Sequence, residues 1–302
     1  MTHAAPSPGF IAGIKDPLRR YRHRVRTAYI KRFFAFSSED LLKALRRLGI
    51  ESGDVVCVHS SFDRFMGFTG NVGDALKTLQ QAVGADGGLV MPTQPFNESA
   101  VQYVQKHPVT DIARAPSLMG MMTEILRRTR GAVRTINPTH PVATWGSRGV
   151  GLVGRDWEAG TPCGRGTAYH RMIDASGKIL LLGTGVQPMT FYHCVEELIE
   201  PRMPASPFTR EVFHLRTKDA AGNLHESHMR LFEPGLSSRR RMSLLVPELK
   251  SRGYWRDGRV GRLEMILLNA ADVLDACEAR AARGEFCYID EPGHGTQTQG
   301  PE

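Results

Sequence analysis

A threonine hydroxyl and a histidine imidazole stand three residues apart in this chain, just after a glycine-rich turn. Thr190 and His193 follow the apolar run 180–182 and the turn 183–185. A neutral imidazole can take the proton that an attacking ammonium must lose, and a hydroxyl can donate to a developing oxyanion. The pair indicates a transfer site for an amine, although a histidine beside a glutamate at helical spacing is also common as a surface pair.

A carboxylate and a thiol lie close to this histidine in the sequence. Thr190 and His193 are predicted to share one face of a helix that runs through Glu200. Glu196 is one helical turn further along the same face and could fix the imidazole tautomer. Cys194 is adjacent to His193, but neighbouring helix residues point about 100° apart. We therefore do not favour covalent catalysis by this cysteine.

The elements that must position these groups alternate between strand and helix. Strands are predicted at 54–60 and 88–93, with a helix at 74–83 between them. This βαβ unit implies a parallel strand pair with a ligand crevice at the carboxyl ends, which Ser60 and Ser61 would face. Further predictions are a helix that carries the apolar residues between 41 and 48, capped at 37–40 and ended by Gly49, a helix at 117–130, and a hairpin of Val212–Leu215 with Leu224–Met229.

The loop inside the βαβ unit carries Gly67, Gly70 and Gly73. This spacing does not match a dinucleotide-binding fingerprint, and no Gly-Lys-Ser/Thr follows as in a P-loop. Backbone N–H groups at a helix start suit a phosphate or pyrophosphate, and coenzyme A would fit such a loop. A plain tight turn is the alternative.

Charge is concentrated in an N-terminal extension, residues 1–36. This segment has eight Lys or Arg against Asp16, a net charge of +7 out of the +8 of the whole chain. A nearly neutral body argues against nucleic-acid binding. The periodic residues Leu18, Tyr21, Val25, Tyr29 and Phe33 predict an amphipathic basic helix, for which packing or a solvated face is favoured over peripheral membrane contact.

Cysteine usage and hydropathy limit the class of protein. Five dispersed cysteines without a C-x-x-C pair indicate neither a disulfide scaffold nor a thiolate zinc site. No apolar run of about 18 residues and no signal-peptide core are present, so a cytoplasmic protein is expected. The composition of residues 286–302 predicts a disordered tail. No feature of the sequence predicts an oligomeric state.

Several segments, taken in order, resemble the aminoglycoside 3-N-acetyltransferase family. The resemblance implies one α/β domain over residues 37–285, with a central mixed sheet flanked by helices and an antiparallel hairpin. It also implies acetyl-CoA as co-substrate, no metal, a small-molecule amine as acceptor, and coenzyme A bound through Ser60, Ser61, Phe62 and Gly70. The matching segments are 58–62, 83–93, 111–120, 134–140, 180–185 leading to Thr190 and His193, and 253–261.

The same resemblance implies roles for individual side chains. His193 matches the family's histidine that deprotonates the substrate ammonium, and Thr190 matches the hydroxyl that stabilises the oxyanion. An acid further along orients the imidazole in the family. Its nearest counterpart is Glu226 on the predicted hairpin, and Glu196 is the local rival; the sequence leaves both open.

Two departures bear on the acceptor. Many relatives have a His-Pro-Thr-His-Ser motif here, in which this chain has Asn137 for the first histidine and Pro141 for the final serine. His140 between two prolines suits a functional position and a structural turn equally. Residues 96–116 also lack the excess of acids that a polycationic aminoglycoside favours. An amino sugar, a sugar nucleotide or another biosynthetic amine is therefore an equal candidate for the acceptor.

Two further classes of function stand beside acetyl transfer. One is a non-catalytic coenzyme A-binding relative, which would be expected to lose the pair Thr190 and His193. The other is a hydrolase using Ser60, His193 and Asp111, which ranks low because the G-x-S-x-G elbow is missing.

Overall fold

A computed structural model describes residues 21, 25, 28–30 and 32–289 of the 302-residue chain. Seven strands form one sheet in the order β4-β5-β2-β1-β6-β10-β9, and three form a smaller sheet in the order β3-β7-β8. The strands are β1 Val55–Ser60, β2 Gly88–Pro92, β3 Val109–Asp111, β4 Val133–Arg134, β5 Val142–Trp145, β6 Lys178–Leu182, β7 Phe213–Lys218, β8 Leu224–Met229, β9 Arg256–Val260 and β10 Leu263–Asn269.

The central sheet is mixed, as the sequence predicts. Strand β1 runs parallel to both β2 and β6, whereas β5, β10, β4 and β9 pair antiparallel with their neighbours. The parallel strands end at Ser60, Pro92 and Leu182. Because parallel strands end at the same edge of a sheet, the loops after these three residues meet there.

Helices cover both faces of this sheet. Alternation along β1 divides the core, because Val56 and Val58 pack toward one cluster of buried residues and Val55 and Cys57 toward the other. The helices are α1 Ser38–Leu48, α2 Val72–Val83, α3 Ala100–Lys106, α4 Met121–Arg128, α5 Ser147–Val150, α6 Ala168–Asp174, α7 Tyr192–Ile199, α8 Pro234–Arg239, α9 Val246–Ser251 and α10 Ala270–Ala281, with short 3-10 turns at Phe62–Arg64, Asp156–Glu158, Glu200–Arg202 and Met242–Leu245.

Local capping explains where the first helices begin and end. The Ser37 hydroxyl accepts from the backbone N–H of Asp40 while the Asp40 carboxylate accepts from the backbone of Ser37, a capping box that starts α1. Gly49 ends α1 in the left-handed region, with φ of 106°. Helix α2 starts two residues before the predicted Asp74, because Asn71 supplies its N-cap.

The predicted hairpin forms the smaller sheet together with β3. Strands β7 and β8 pair antiparallel from Phe213 opposite Met229 to Lys218 opposite Leu224. Leu215 and Met229 pack with Phe96 and residues of α3 in a small separate core. This small core holds the loop after β2 beside the edge where the parallel strands end.

The two ends of the described chain differ in packing. The described part of the predicted basic helix exposes Tyr21, Val25, Tyr29 and Phe33 and buries Ile30. Leu18 of the predicted helix lies outside the described residues. Residues 286–289 pack on the domain, with Cys287 only 2% exposed, although the sequence assigns them to a disordered tail. Burial of an apolar thiol outweighs the polar composition there, and residues 290–302 lie outside the description.

Within the described residues, no helix is long and apolar enough to cross a membrane.

Candidate active site

Three neighbouring openings lie where the parallel strands end. The first, which we name the histidine cleft, has a volume of about 400 Å³ and is lined by His140, His193, Gln94, Arg240 and the rings of Phe96 and Phe232, among others. A volume of this size is at the small end of the range for ligand pockets. The loop after β2, the loop before β5 and the start of α7 thus supply one cleft.

A narrow slot shares lining residues with both the histidine cleft and a groove that contains two arginines. The slot, of about 80 Å³, is lined by His59, Ser60 and Thr190 and shares Met119 with the cleft. It shares Thr184 with a groove of about 410 Å³, which we name the arginine groove after Arg64 and Arg262. Two molecules could therefore approach from opposite sides and meet near the start of α7.

The close approach of backbone and side chains in the arginine groove depends on Gly183. This residue has φ of 73°, and a Cβ added there would lie 2.7 Å from Cβ of Arg64. Only glycine avoids both the strained backbone and the clash. The glycine-rich turn seen in the sequence therefore lets β6 pass under the loop that carries Arg64.

His193 lies in the first turn of α7 with its imidazole held on two sides. Its Nδ1 donates to Oε2 of Glu196 over 2.8 Å, and the ring of Phe232 stacks on it with centroids 4.2 Å apart. The helix begins at Tyr192, so Thr190 precedes it in a turn whose carbonyl accepts from the N–H of His193. Contrary to the predicted shared helix face, Thr190 lines the slot while His193 lines the cleft.

Glu196 is fully buried and receives hydrogen bonds from three side chains. Besides His193, Arg240 donates from Nε to Oε1 over 2.7 Å and from Nη2 to Oε2 over 2.9 Å, and the Tyr288 hydroxyl donates to Oε1. Antiparallel pairing of residues 240 and 288 brings both donors to the carboxylate. The four side chains form one buried network.

Electrostatics in this network keep Glu196 ionised and His193 neutral. Burial opposes ionisation of Glu196, but hydrogen bonds from His193 and the charge of Arg240 outweigh it and lower the pKa of the carboxyl below 4.5. Burial, and then the charge of Arg240, lower the pKa of His193 below 6.5, against the opposing effect of Glu196. A carboxylate can only accept, so Nδ1 carries the ring proton and Nε2 is left as the basic nitrogen.

Two further imidazoles are buried next to His193. The His140 ring meets it edge-on with centroids 5.4 Å apart. Burial, then repulsion from His193 whenever that ring is protonated, and then the charge of Arg240 hold the pKa of His140 well below 6.5. His59 lines the slot, where burial lowers its pKa to about 4. Both rings are neutral at physiological pH, so the cluster offers uncharged hydrogen-bonding groups.

Asn137 supports the backbone of His140 rather than any chemistry in the cleft. Its Oδ1 accepts from the backbone N–H groups of Thr139 and His140, over 3.1 and 2.8 Å, and its Nδ2 donates to the Pro162 carbonyl. This Asx turn fixes the segment between the two prolines. The departure from the common motif thus has a structural explanation at Asn137.

Glu226 and Asp111 lie away from the imidazole that the sequence analysis assigns to them. Glu226 is exposed on β8 and lines a separate depression with His214 and Arg216. Asp111 accepts from the backbone N–H groups of Ala113 and Arg114, as expected for a turn. Of the two acids left open by the sequence, the structure brings Glu196 to His193, and it does not assemble the hydrolase triad.

The four residues predicted to bind coenzyme A separate into two groups. Ser60 lines the slot, and Ser61 precedes the 3-10 turn that carries Arg64. Phe62 packs on Phe65 and Phe68, and a Cβ on Gly70 would lie 2.9 Å from the Phe68 ring. Packing accounts for Phe62 and Gly70, which are not among the residues that line the slot or the groove.

Sequence reasoning missed several side chains that complete these openings. Arg240 and Tyr288 reach Glu196 only through tertiary structure, and no spacing rule connects them to it. Gln94 had a usable signal, because it directly follows a predicted parallel strand. The two basic side chains of the groove, Arg64 and Arg262, lie on segments nearly 200 residues apart.

Comparisons with known proteins identify the family of this chain. A sequence model of the aminoglycoside 3-N-acetyltransferase family matches residues 57–281. Among curated proteins, the chain is 25% identical over 257 residues to aminoglycoside N(3)-acetyltransferase IX of Micromonospora chalcea, covering 76% of this chain and 88% of that protein.

Solved structures share the fold at lower identity. A structure of AAC-IIIb as a binary complex with CoASH superposes with a TM-score of 0.67 at 20% identity, covering 80% of this chain and 94% of the other. A neutron and X-ray structure of sisomicin-bound AAC-VIa has a TM-score of 0.67 at 22% identity, covering 82% and 99%.

Proposed function

The chain belongs to the aminoglycoside 3-N-acetyltransferase family, and we propose that it moves the acetyl group of acetyl-CoA to an amine of an aminoglycoside or related amino sugar, with His193 as general base. Its relatives are named as acyltransferases of this type. One observation carries the assignment of the base. The bond from Nδ1 of His193 to Glu196 leaves Nε2 as the basic nitrogen of a ring that lines the cleft.

The proposed reaction is a direct transfer. His193 Nε2 takes a proton from the substrate ammonium, and the free amine attacks the thioester carbonyl carbon. A C–N bond forms and the C–S bond breaks, and the coenzyme A thiolate leaves and takes up the proton from His193. The attacking nitrogen loses its second proton to solvent, so the products are a neutral amide, the coenzyme A thiol and one released proton. Thr190, which lines the slot between cleft and groove, would donate to the oxyanion of the tetrahedral intermediate.

The arginine groove suits the other substrate. Coenzyme A ends in phosphate groups, and guanidinium groups bind phosphates through charge-assisted hydrogen bonds. The AAC-IIIb structure was determined with CoASH bound. We assign the phosphates to Arg64 and Arg262, and the thioester arm to the slot lined by Ser60.

The double variant Arg64→Ala with Arg262→Ala removes both arginines of the groove. We expect it to raise KM for acetyl-CoA about tenfold, which corresponds to a loss of about 1.4 kcal/mol of binding free energy. Both side chains are exposed, so kcat and Tm should change little. The measurement is initial-rate kinetics at two salt concentrations, with Arg47→Ala on the exposed surface of α1 as the control. An unchanged KM for acetyl-CoA would refute this assignment of the groove.

The pH dependence of kcat should report the lowered pKa of His193. The base must be unprotonated, so kcat falls when pH drops through this pKa, and the acid limb is expected below pH 6.5. Because the charge of Arg240 lowers this pKa, Arg240→Gln should move the acid limb to higher pH. Profiles at saturating substrates test both statements, and an acid limb above pH 7 in the wild type would contradict them.

The activity itself is tested by coenzyme A release. A free-thiol assay with acetyl-CoA would be run with a panel of aminoglycosides and a panel of amino sugars, beside calorimetry for coenzyme A binding. Release that depends on an amine supports acetyl transfer. Silence with every amine, despite coenzyme A binding, would indicate a non-catalytic relative.

A further inference from the structure

Gln94 carries a buried hydrogen-bond acceptor without a partner at the wall of the histidine cleft. The residue directly follows β2 and Thr93, is 5% exposed, and lines the cleft. Its Oε1 has no hydrogen-bond partner among the described residues. The hydroxyls of Tyr169, Thr217 and Ser227 are also unpaired, but they do not line the cleft. A buried acceptor left unpaired is costly, which points to a donor supplied by a ligand.

The backbone of Gln94 is held in place by its surroundings. The Leu118 N–H donates to the Gln94 carbonyl over 2.9 Å, and the neighbouring Thr93 hydroxyl donates to the Pro141 carbonyl over 2.9 Å. The Gln94 backbone is thus held against the same loops that carry Met119 and His140, and its side chain is buried there. A buried acceptor at a cleft wall discriminates between ligands with and without a matching donor.

The charged groups of the cleft cancel in pairs. Glu98 is the only carboxylate among the described residues that line it, and Lys106 is 3.3 Å away from Glu98. Arg240 is the guanidinium at the wall, and its charge is matched by buried Glu196. Glu233 lies between two lining residues but is exposed and not part of the lining. No excess of negative charge remains for a ligand with several ammonium groups.

The rest of the wall is apolar or neutral. Phe96 and Phe232 present rings, Met119 and Pro234 add apolar surface, and His140 is an uncharged imidazole. Apolar pockets with a few neutral polar groups bind ligands that combine an apolar face with hydroxyl groups. Together with the volume of about 400 Å³, this favours a small ligand.

We infer that the acceptor is a compact, hydroxylated amine with one ammonium group, of the monoamino sugar class, and that Gln94 Oε1 accepts a hydrogen bond from it. The inference rests on the proposed acetyl transfer for the identity of the reacting group. Gln94 is thus a specificity residue that contacts the amine substrate, whereas His193 performs the proton transfer.

Two substitutions at one position test the inference. Gln94→Leu removes the acceptor at similar size, and Gln94→Glu adds a carboxylate. The wild type is expected to have a kcat/KM at least tenfold higher for a monoamino hexose than for an aminoglycoside such as sisomicin. Gln94→Leu should raise KM for the hexose 10- to 100-fold without changing KM for acetyl-CoA, and Gln94→Glu should shift the ratio at least tenfold toward sisomicin.

Controls separate this inference from folding and from the proposed reaction. Gln81→Leu makes the same change at an exposed site on α2, and Tm is measured for each variant. Calorimetry with coenzyme A bound measures acceptor affinity without turnover, so loss of hexose binding in Gln94→Leu supports the inference even if no amine is acetylated. A wild-type preference for sisomicin, or equal KM values for the hexose in Gln94→Leu and wild type, would overturn it.

Discussion

Replacing His193 with glutamine is expected to lower kcat by about 10² to 10⁴, the usual contribution of a general base. Glutamine keeps a polar side chain beside Phe232 but cannot take the proton that the ammonium must lose. Binding of acetyl-CoA should persist, because the arginine groove and the slot are left intact. The measurement is steady-state kinetics together with calorimetry for coenzyme A.

The loss should also depend on pH in a way that marks a proton acceptor. Raising the assay pH deprotonates the amine in solution, so the variant should recover part of the rate that it lacks at neutral pH. His170→Gln on α6, where the histidine pairs with Asp174 over 3.7 Å, controls for the chemical change. A reduction of kcat below tenfold, uniform in pH, would show that His193 is not the base.

Glu196→Gln is expected to reduce both stability and rate. Breaking a buried ion pair by removing one partner typically costs about 3–5 kcal/mol, because here Arg240 would keep its charge without an anion. The loss of the carboxylate also frees the tautomer of His193 and lowers its basicity, so kcat should fall about 10- to 100-fold. Urea unfolding and kinetics at saturating substrate measure the two effects.

The pH dependence of stability gives this variant a distinctive readout. The pKa of Glu196 is lowered below 4.5 in the folded protein, so its contribution is present above pH 4.5 and is lost as pH falls through the lowered value. The difference in unfolding free energy between wild type and variant should therefore close at acid pH.

Two comparisons separate the structural part from the catalytic part. Glu197→Gln makes the same change one residue away, where the carboxylate accepts from Thr161, and should leave kcat nearly unchanged. The double variant Glu196→Gln with Arg240→Gln removes both charges and should regain stability without regaining rate. Full activity in the double variant would refute the role of Glu196 in orienting His193.

Local patterns in the sequence account for most of the sheet. The apolar runs at 54–60 and 88–93 predict β1 and β2 within one residue, because buried parallel strands need continuous hydrophobic sequence. The cap at Ser37 and the turn after β7 are likewise local chemistry. The start of α7 has no such local signal, because Phe191 offers no capping side chain. The sequence pattern therefore predicts Thr190 inside the helix, whereas the helix begins at Tyr192.

The site is only partly local. His193 and Glu196 meet because helical spacing brings them together, whereas Arg240 and Tyr288 reach Glu196 through tertiary pairing of distant segments. Counting acids and bases in residues 96–116 shows that this segment has no excess of negative charge. Only the structure shows that Glu98 is paired with Lys106 and that Arg240 is paired with Glu196. The position of Gln94 after a strand can be predicted, but the burial of its polar side chain cannot be inferred from the sequence.

The network around Glu196 also orders events during synthesis. Arg240 is 44 residues further along the chain and Tyr288 is 92 residues further, so Glu196 leaves the ribosome well before either partner. Until both arrive, its carboxylate stays in water, because a lone buried charge is too costly. Strand β10, which pairs with β6, is also made after residue 240. Contacts between such distant segments pay a large loop-closure entropy and form late. The growing chain can thus collapse much of its sheet long before it holds an organised base.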